Sequence, residues 1–385
     1  MNTIIHFTTV HARTDTRIRV KEVASLARHF DADVRLYVQD GLGDETDVAA
    51  KVRIHDTGAR PGRRLARMTL GAWRMYRAVR AARPTIAHFH DPELIPVGLL
   101  LKLSGVKVIY DVHEDVPGQI LSKFWIPAPM RRIVAFVAGL FESAAARFLD
   151  AIVLAEPVYE ENFPKGLPHV VQNYPIISEF SAEPVAAYRN KPPHFCYVGG
   201  ITELRGAVEM VDAIALMPQA DVRLILGGAF SPADVENKMM ASPGWSRTEH
   251  RGVLNRAGVV SVMNDCLGGL ATLKPIPNYV KSYPTKLFEY MIAGIPSIAS
   301  DFPFWRDILK GVDCAIFVDP LNPQAIADAM QWILDHPEEA EAMGRRGQVA
   351  VRERFNWEAE EKKLVALYRQ LLNIEAPKAK EPAAT

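Results

Sequence analysis

The chain has 385 residues, enough for two domains with separate cores, and 49 % of them are hydrophobic, an ordinary globular content. Its 45 lysines and arginines balance 45 acidic residues, which excludes a general nucleic-acid binder. No apolar run approaches the ~20 residues of a membrane-spanning helix. Leu94 to Leu101 and Ile133 to Leu140 are the longest candidates, and both read as core segments.

In chain order, Thr3 to Thr8 reads as a strand, Arg17 to Phe30 as a helix and Val34 to Val38 as a strand. A basic helix follows from Arg63 to Arg80. Ile86 to His90 is strand-like, Pro92 to Leu103 helical, Lys107 to Val112 a strand, Ile133 to Arg147 a helix and Ala151 to Leu154 a strand. His169 to Gln172 closes this series. Strands alternating with helices predict a parallel sheet covered on both faces. The proline-containing stretch 176–193 reads as a linker, after which the pattern restarts. Phe195 to Val198 and Val222 to Leu226 are strands that each end in Gly-Gly, with a helix from Ala207 to Met217 between them. A helix at 285, a strand at 295, a strand from Ala315 to Val318 and a helix from Pro323 to Leu334 complete the second series. The expected domains are therefore 1–175 and 194–352, joined by 176–193. A final helix occupies 353–373, before a Pro/Ala/Lys/Glu-rich tail at 374–385 expected to be disordered.

Cys196, Cys266 and Cys314 follow no metal-ligand spacing, and a sparse odd set suits a reducing cytoplasm. The first residues lack the basic start and small-residue cleavage site of a secretory signal, so none is expected. Eight arginines but no acidic residue lie between Asp56 and Asp91. With Lys123, Phe124, Trp125, Arg131 and Arg132 they suggest peripheral contact with anionic lipid. The plainer reading is an amphipathic helix with a solvated arginine face.

Polar residues follow two apolar strands, in His88-Phe-His-Asp-Pro-Glu and Tyr110-Asp-Val-His-Glu-Asp. Ligands of open α/β sheets bind at strand carboxyl ends, so His90, Asp91, His113, Glu114 and Asp115 are candidates. The first strand leads into His11, Arg13, Asp15 and Arg17, which either line a ligand site or form a helix cap by Asp15 with exposed arginines. Asp31-Ala-Asp33 reads as a surface turn. No spacing marks a metal-ligand set, and no metal is expected.

The richest segment is Tyr283-Pro-Thr-Lys-Leu-Phe-Glu-Tyr-Met-Ile-Ala-Gly-Ile-Pro. Thr285 can cap a helix that Gly294 and Pro296 end. Lys286 and Glu289 share a side of that helix, a spacing that fits either a solvated salt bridge or a phosphate and sugar-hydroxyl site. This segment resembles the donor motif of retaining GT-B glycosyltransferases of the group 1, family 4 type. In that family Glu289 would hold the nucleotide ribose. The family's preceding glutamate, which contacts the transferred sugar, is replaced by Lys281. Tyr197-Val-Gly-Gly-Ile-Thr-Glu-Leu-Arg-Gly resembles the family's phosphate turn, with Gly200 where an arginine is usual and Arg205 where a lysine is usual. Asn173 resembles the end of the first domain.

The resemblance implies an α/β GT-B fold of two Rossmann-like domains facing a central cleft, with the C-terminal helix crossing back to the first. It implies a retaining, metal-independent hexosyltransferase that needs no cofactor, with a nucleotide diphosphate sugar as donor. Gly199, Gly200, Arg205, Thr285, Lys286 and Glu289 would bind the donor. His113 would face the sugar, and Glu114 and Asp91 would meet acceptor or donor. The acceptor would be a cell-surface polysaccharide or polyprenyl-linked glycan, and the enzyme cytoplasmic, peripheral on the inner membrane face. A GT-B nucleotide-sugar epimerase and a non-catalytic sugar-nucleotide-binding subunit are the alternatives.

Overall fold

The computed structural model describes residues 1–122, 126–180 and 187–375. Two compact units emerge, Met1–Asn173 with Glu358–Thr385, and Tyr174–Trp357.

Among the described residues the first unit contains eight strands: β1 (Asn2–Phe7), β2 (Ala32–Val38), β3 (Glu45–Asp47), β4 (Val52–Asp56), β5 (Ile86–Phe89), β6 (Lys107–Val112), β7 (Ala151–Leu154) and β8 (Pro168–Val170). Their order is β3-β4-β2-β1-β5-β6-β7-β8, and only β3 runs antiparallel to its neighbour. The helices are α1 (Ala24–His29), α2 (Arg64–Ala66), α3 (Ala72–Ala81), α4 (Ile95–Leu103), α5 (Val116–Ser122) and α6 (Ala128–Ala146). A wide-turn helix, Thr16–Val23, leads into α1.

Strand alternation divides this sheet chemically. Ile5, Phe7, Ala87, Phe89, Val108 and Tyr110 form one apolar face under α3, α4 and α6. The alternate positions His6, His88 and Asp111 carry a polar row on the other face, where His6 and His88 are paired in register. Tyr368, on the chain's last helix, joins that row. Its hydroxyl lies 2.8 Å from His88 Nδ1 and 3.0 Å from His6 Nε2.

Helix α6 departs from expectation. Leu94 to Leu101 supplies core residues as predicted, but Ile133 to Leu140 largely faces solvent, with Ile133 65 % and Phe136 71 % exposed. Its one acidic residue, Glu142, is buried instead and accepts a hydrogen bond from Tyr110 Oη at 2.7 Å. That inward bond fixes the rotation of the helix and turns the apolar arc out. Lys123, Phe124 and Trp125 lie outside the described residues. No helix among the described residues is long and apolar enough to cross a membrane.

The second unit is a six-stranded parallel sheet: β9 (His194–Val198), β10 (Arg223–Gly227), β11 (Thr248–His250), β12 (Gly268–Ala271), β13 (Ser297–Ser300) and β14 (Ala315–Val318), ordered β11-β10-β9-β12-β13-β14. Its helices are α7 (Ala207–Leu216), α8 (Asp234–Met240), α9 (Arg256–Asp265), α10 (Pro277–Val280), α11 (Thr285–Ala293), α12 (Pro303–Ile308), α13 (Pro323–Asp335) and α14 (Pro337–Glu353). The last helix, α15 (Trp357–Leu372), belongs from Glu358 onward to the first unit.

Close packing explains the glycines here. The Tyr290 ring fills the space above Gly269, where an added Cβ would meet ring atoms at 2.4 Å. Gly344 lets α14 cross the end of α11, since a Cβ there would come within 2.1 Å of Gly294 O.

Candidate functional site

In both sheets the first strand has a neighbour on each side, so the chain direction switches there. The carboxyl ends of such strands are where open α/β sheets bind ligands.

In the second unit β9 runs into Gly199 and Gly200. Gly199 has φ +151°, and a Cβ built on it would lie 3.1 Å from Lys286 Cε and 3.5 Å from Arg205 Nη1. The Arg205 guanidinium also lies 3.3 Å from the position of a Gly200 Cβ and donates to Gly200 O at 3.3 Å. Thus a turn from β9, a guanidinium from the short 3-10 segment Glu203–Arg205 and an ammonium from α11 converge. Gly206, with φ +75°, makes the sharp turn that joins Arg205 to α7. Arg205 is flanked by the Tyr197 and Tyr279 hydroxyls, and among the described residues no carboxylate forms an ion pair with it. Most arginines near the candidate sites are paired: Arg13 with Asp40, Arg17 with Asp111, Arg67 with Glu93 and Arg256 with Glu289.

Glu289 sits one turn along α11. Lys286 Nζ approaches Oε2 at 2.8 Å and Arg256 Nη1 approaches Oε1 at 2.7 Å. Burial pushes this carboxyl upward, but Lys286 and then Arg256 outweigh it and hold it at about 2. Arg256 also reaches Glu179 at 2.6 Å. Arg256 was missed in the sequence because its partners lie far away along the chain; the local signal was Asn255, which caps α9 by accepting from Gly258 N.

One helix boundary needs correction. Thr285 does not cap α11: it is the first helical residue and exposed, and no side chain caps this terminus. Pro284 takes the cap position because its backbone, at ψ 73°, turns into the helix one residue earlier. Two of the amides at this terminus are already engaged: Thr285 N donates to Tyr283 O at 3.0 Å and Leu287 N to Pro284 O at 2.8 Å.

Gly228, after β10, braces the turn. It has φ +144°, and a Cβ would fall 1.8 Å from Gly199 O. Gly228→Ala is expected to cost more than about 2 kcal/mol and to weaken nucleotide binding, read by thermal melts with and without ligand.

In the first unit the loop after β1 meets the ends of β5 and β6. His113 Nε2 lies 2.7 Å from Asp111 Oδ2, its ring centroid is 4.7 Å from that of His11, and its side chain is 14 % exposed. Glu114 is exposed. Asp91 and His90, expected at a ligand site, are buried and engaged in hydrogen bonds within the unit. Asp91 is 2 % exposed, and its Oδ2 accepts from Thr8 Oγ1 at 2.9 Å and from the Thr9 and Val10 amides. It therefore shapes the β1 loop. His90 bridges Asp111 and His6, each at 3.0 Å.

Of the two readings of residues 11–17, the helix cap by Asp15 is present, but the arginines expected to be exposed are turned inward onto carboxylates. Asp15 accepts from Ile18 N at 3.0 Å and caps the first helix. Arg13 forks onto Asp40 with both contacts at 2.7 Å, and Arg17 is buried against Asp111 at 2.7 and 3.0 Å. Asn173 receives Lys21 Nζ on Oδ1 at 2.6 Å. Asp31-Ala-Asp33 is only partly a turn: Ala32 and Asp33 begin β2, and Asp33 is held by Arg35 and Arg53.

Glu22, His88, His90 and Asp111 bring ligand atoms within 4.8 Å of one another, a set that can in principle hold a cation and that sequence spacing did not show. Arg17 already supplies a fixed positive charge there, 3.2 Å from Glu22 and 2.7 Å from Asp111. One carboxylate remains unbalanced. Burial and then the Asp111 charge push Glu22 well up, so a proton on Glu22 neutralises the excess, while Asp111 stays ionised beside Arg17.

Two doubly wound units, one presenting a glycine turn beside two cations, are the parts of a GT-B glycosyltransferase. Residues 182–349 match the family model "Glycosyl transferases group 1", and residues 16–172 match "Glycosyl transferase 4-like domain". Together these span most of the chain, which belongs to this glycosyltransferase family. The D-rhamnosyltransferase WbpZ of Pseudomonas aeruginosa is 24 % identical over 298 residues, 74 % of each chain. Sucrose-phosphate synthase from Thermosynechococcus elongatus superposes with TM-score 0.78 at 18 % identity, covering 97 % of this chain and 100 % of that one. HepE of Anabaena, solved with UDP-glucose, gives 0.72 at 13 % identity, covering 96 % and 99 %. These structures share the fold.

Proposed function

We propose that the protein is a retaining, metal-independent glycosyltransferase that moves a hexose from a nucleotide diphosphate sugar to a polysaccharide or polyprenyl-linked glycan. The observation that carries this reading is the convergence of Arg205, which has no carboxylate partner among the described residues, and of Lys286, paired with Glu289, on the Gly199–Gly200 turn. Glycines there admit a diphosphate against the backbone, and two cations neutralise the charge that grows on it as the glycosidic bond breaks. Glu289, kept ionised, accepts hydrogen bonds from ribose hydroxyls. The relatives' names, a D-rhamnosyltransferase and a protein bound to UDP-glucose, support a hexose or deoxyhexose donor.

Retention follows a same-face course. The C1–O bond to the diphosphate breaks, the acceptor oxygen bonds C1 on the same side, and its proton passes to the departing phosphate oxygen. In this reading no protein carboxylate is needed as nucleophile, and the two side-chain cations supply the charge neutralisation. His113 and the exposed Glu114 contact sugar or acceptor in this reading.

The test is a thermal-shift screen against UDP, GDP, ADP and their sugars, followed by incubation with the best donor. A ligand at 100 times its Kd raises stability by about 2.7 kcal/mol. Expected are one strongly stabilising diphosphate and acceptor-dependent release of it, with the anomeric configuration kept. Donor turnover to an isomeric sugar nucleotide without acceptor would instead mean an epimerase. Tight binding without turnover would mean a binding subunit, the outcome that Lys281 in place of the family glutamate would favour.

A further inference from the structure

The charge of Lys286 has two claimants. Its Cε lies 3.1 Å from where a Gly199 Cβ would stand, yet its Nζ rests on Glu289 Oε2 at 2.8 Å. To serve a diphosphate at the turn, the ammonium must leave that carboxylate. The two side chains are only 26 % and 16 % exposed, so a Glu289 left without a cation would oppose the move. Arg205 faces no such choice, because among the described residues no carboxylate forms an ion pair with it.

A second cation removes the obstacle. Arg256 Nη1 lies 2.7 Å from Glu289 Oε1, the oxygen that Lys286 does not use. The guanidinium is held in place from its other side. Its Nε is 2.6 Å from Glu179 Oε2, and its central carbon lies 5.0 Å from the centre of the Phe180 ring. Its backbone opens α9, directly after the Asn255 cap. A guanidinium is permanently charged and planar, so contacts on two edges fix its position. Glu179 and Glu289 balance Arg256 and Lys286 in charge. When Lys286 turns to a phosphate, Arg256 still compensates Glu289, and the freed lone pairs of Oε2 accept ribose hydroxyls.

We infer that Arg256 is a positioning residue for donor binding: it is the standing counter-ion of Glu289 and thereby releases Lys286 to the diphosphate. This role rests on the donor reading proposed above, and it adds an exchange of partners by Lys286. Arg256 acts through Glu289 and touches neither phosphate nor sugar.

The test uses the full chain and the ratio of its affinities for the preferred nucleoside diphosphate and the matching monophosphate. That ratio isolates the terminal phosphate and cancels the ribose. Arg256→Gln should lower it about tenfold, because Lys286 then stays on Glu289. Adding Glu289→Gln should bring it back to within about threefold of wild type, since a neutral amide does not hold the ammonium. A purely structural role for Arg256 gives no such rescue. Arg256→Lys should keep most of the ratio, because it keeps the charge. A crystal structure of the wild type with the diphosphate bound is free of any folding defect in the variants. It should show Lys286 Nζ on a phosphate oxygen and Arg256 still on Glu289. An unchanged ratio in Arg256→Gln, no recovery in the double variant, or Lys286 still on Glu289 in the complex would overturn the proposal and leave the donor reading standing. Wild type that binds no nucleoside diphosphate would overturn both.

Discussion

Arg205→Ala should lower kcat/KM by about 10²–10³-fold, the usual consequence of removing one preorganised donor from a developing charge. Among the described residues Arg205 has no carboxylate partner, so alanine there strands no buried anion, and the fold should survive with a near-normal melting temperature. Lys286→Ala should cost a similar factor. Glu289 would keep Arg256 at 2.7 Å, so its carboxylate remains paired. The two losses should not add fully, because both cations act on one diphosphate. Arg205→Lys should recover part of the rate, since it restores charge but not the planar fork. Initial rates over donor concentration read these effects, with circular dichroism as the folding control. Full activity in both alanine variants would remove the assignment.

The second large effect is on stability in acid. His6, His88 and His90 are buried in the polar row of the first unit and fixed neutral. Burial pushes His90 to about 4 although Asp111 lies 3.0 Å away, and pushes His6 and His88 well down. The unfolded chain protonates histidine near 6.5. Below that pH the unfolded state binds protons that the fold refuses, so stability is complete above about 6.5 and falls as pH drops toward 4. His90 alone accounts for about 3 kcal/mol by pH 4, at 1.36 kcal/mol per unit. The other charged groups of the row shape the curve. Glu22, already protonated in the fold, offsets part of the loss. Asp111 and Arg17 stay charged across this window, and Tyr368 stays neutral.

Natural domains hold roughly 5–15 kcal/mol in total, so the His90 contribution is already a large share, and His6 and His88 act in the same direction. The melting temperature of the first unit should fall steadily between pH 6.5 and 4.5. A melting temperature flat across that interval would show that the row admits protons in the folded state.

The sequence showed the parallel sheets because buried strands alternating with amphipathic helices leave a regular trace. It showed helix α11 and its Lys286–Glu289 pair because cation, carboxylate and glycine stop fall within one helix. Other elements were hidden for identifiable reasons. β12 was unread because Gly268 and Gly269 look like a turn, whereas Gly269 is the floor under Tyr290. α14 was unread because Gly344 and Gly347 look like helix breakers, whereas they let two helices touch. His90 and Asp91 look like ligand residues because polar groups at strand ends usually are. Their actual partners, His6 on β1 and the Thr8–Val10 loop, are more than 80 positions away along the chain. The direction of the α6 arc was also invisible: periodicity defines an apolar side, but only the bond from Tyr110 to Glu142 decides which way it turns.

The grip of Arg205 and Lys286 on a diphosphate is tested most directly by titration calorimetry of wild type and Arg205→Ala with the preferred nucleoside diphosphate and the matching nucleoside monophosphate. A diphosphate affinity reduced by about 2 kcal/mol or more, with the monophosphate affinity nearly unchanged, is the expected result for a charge-assisted contact. Equal affinities of the two proteins for the diphosphate would contradict it.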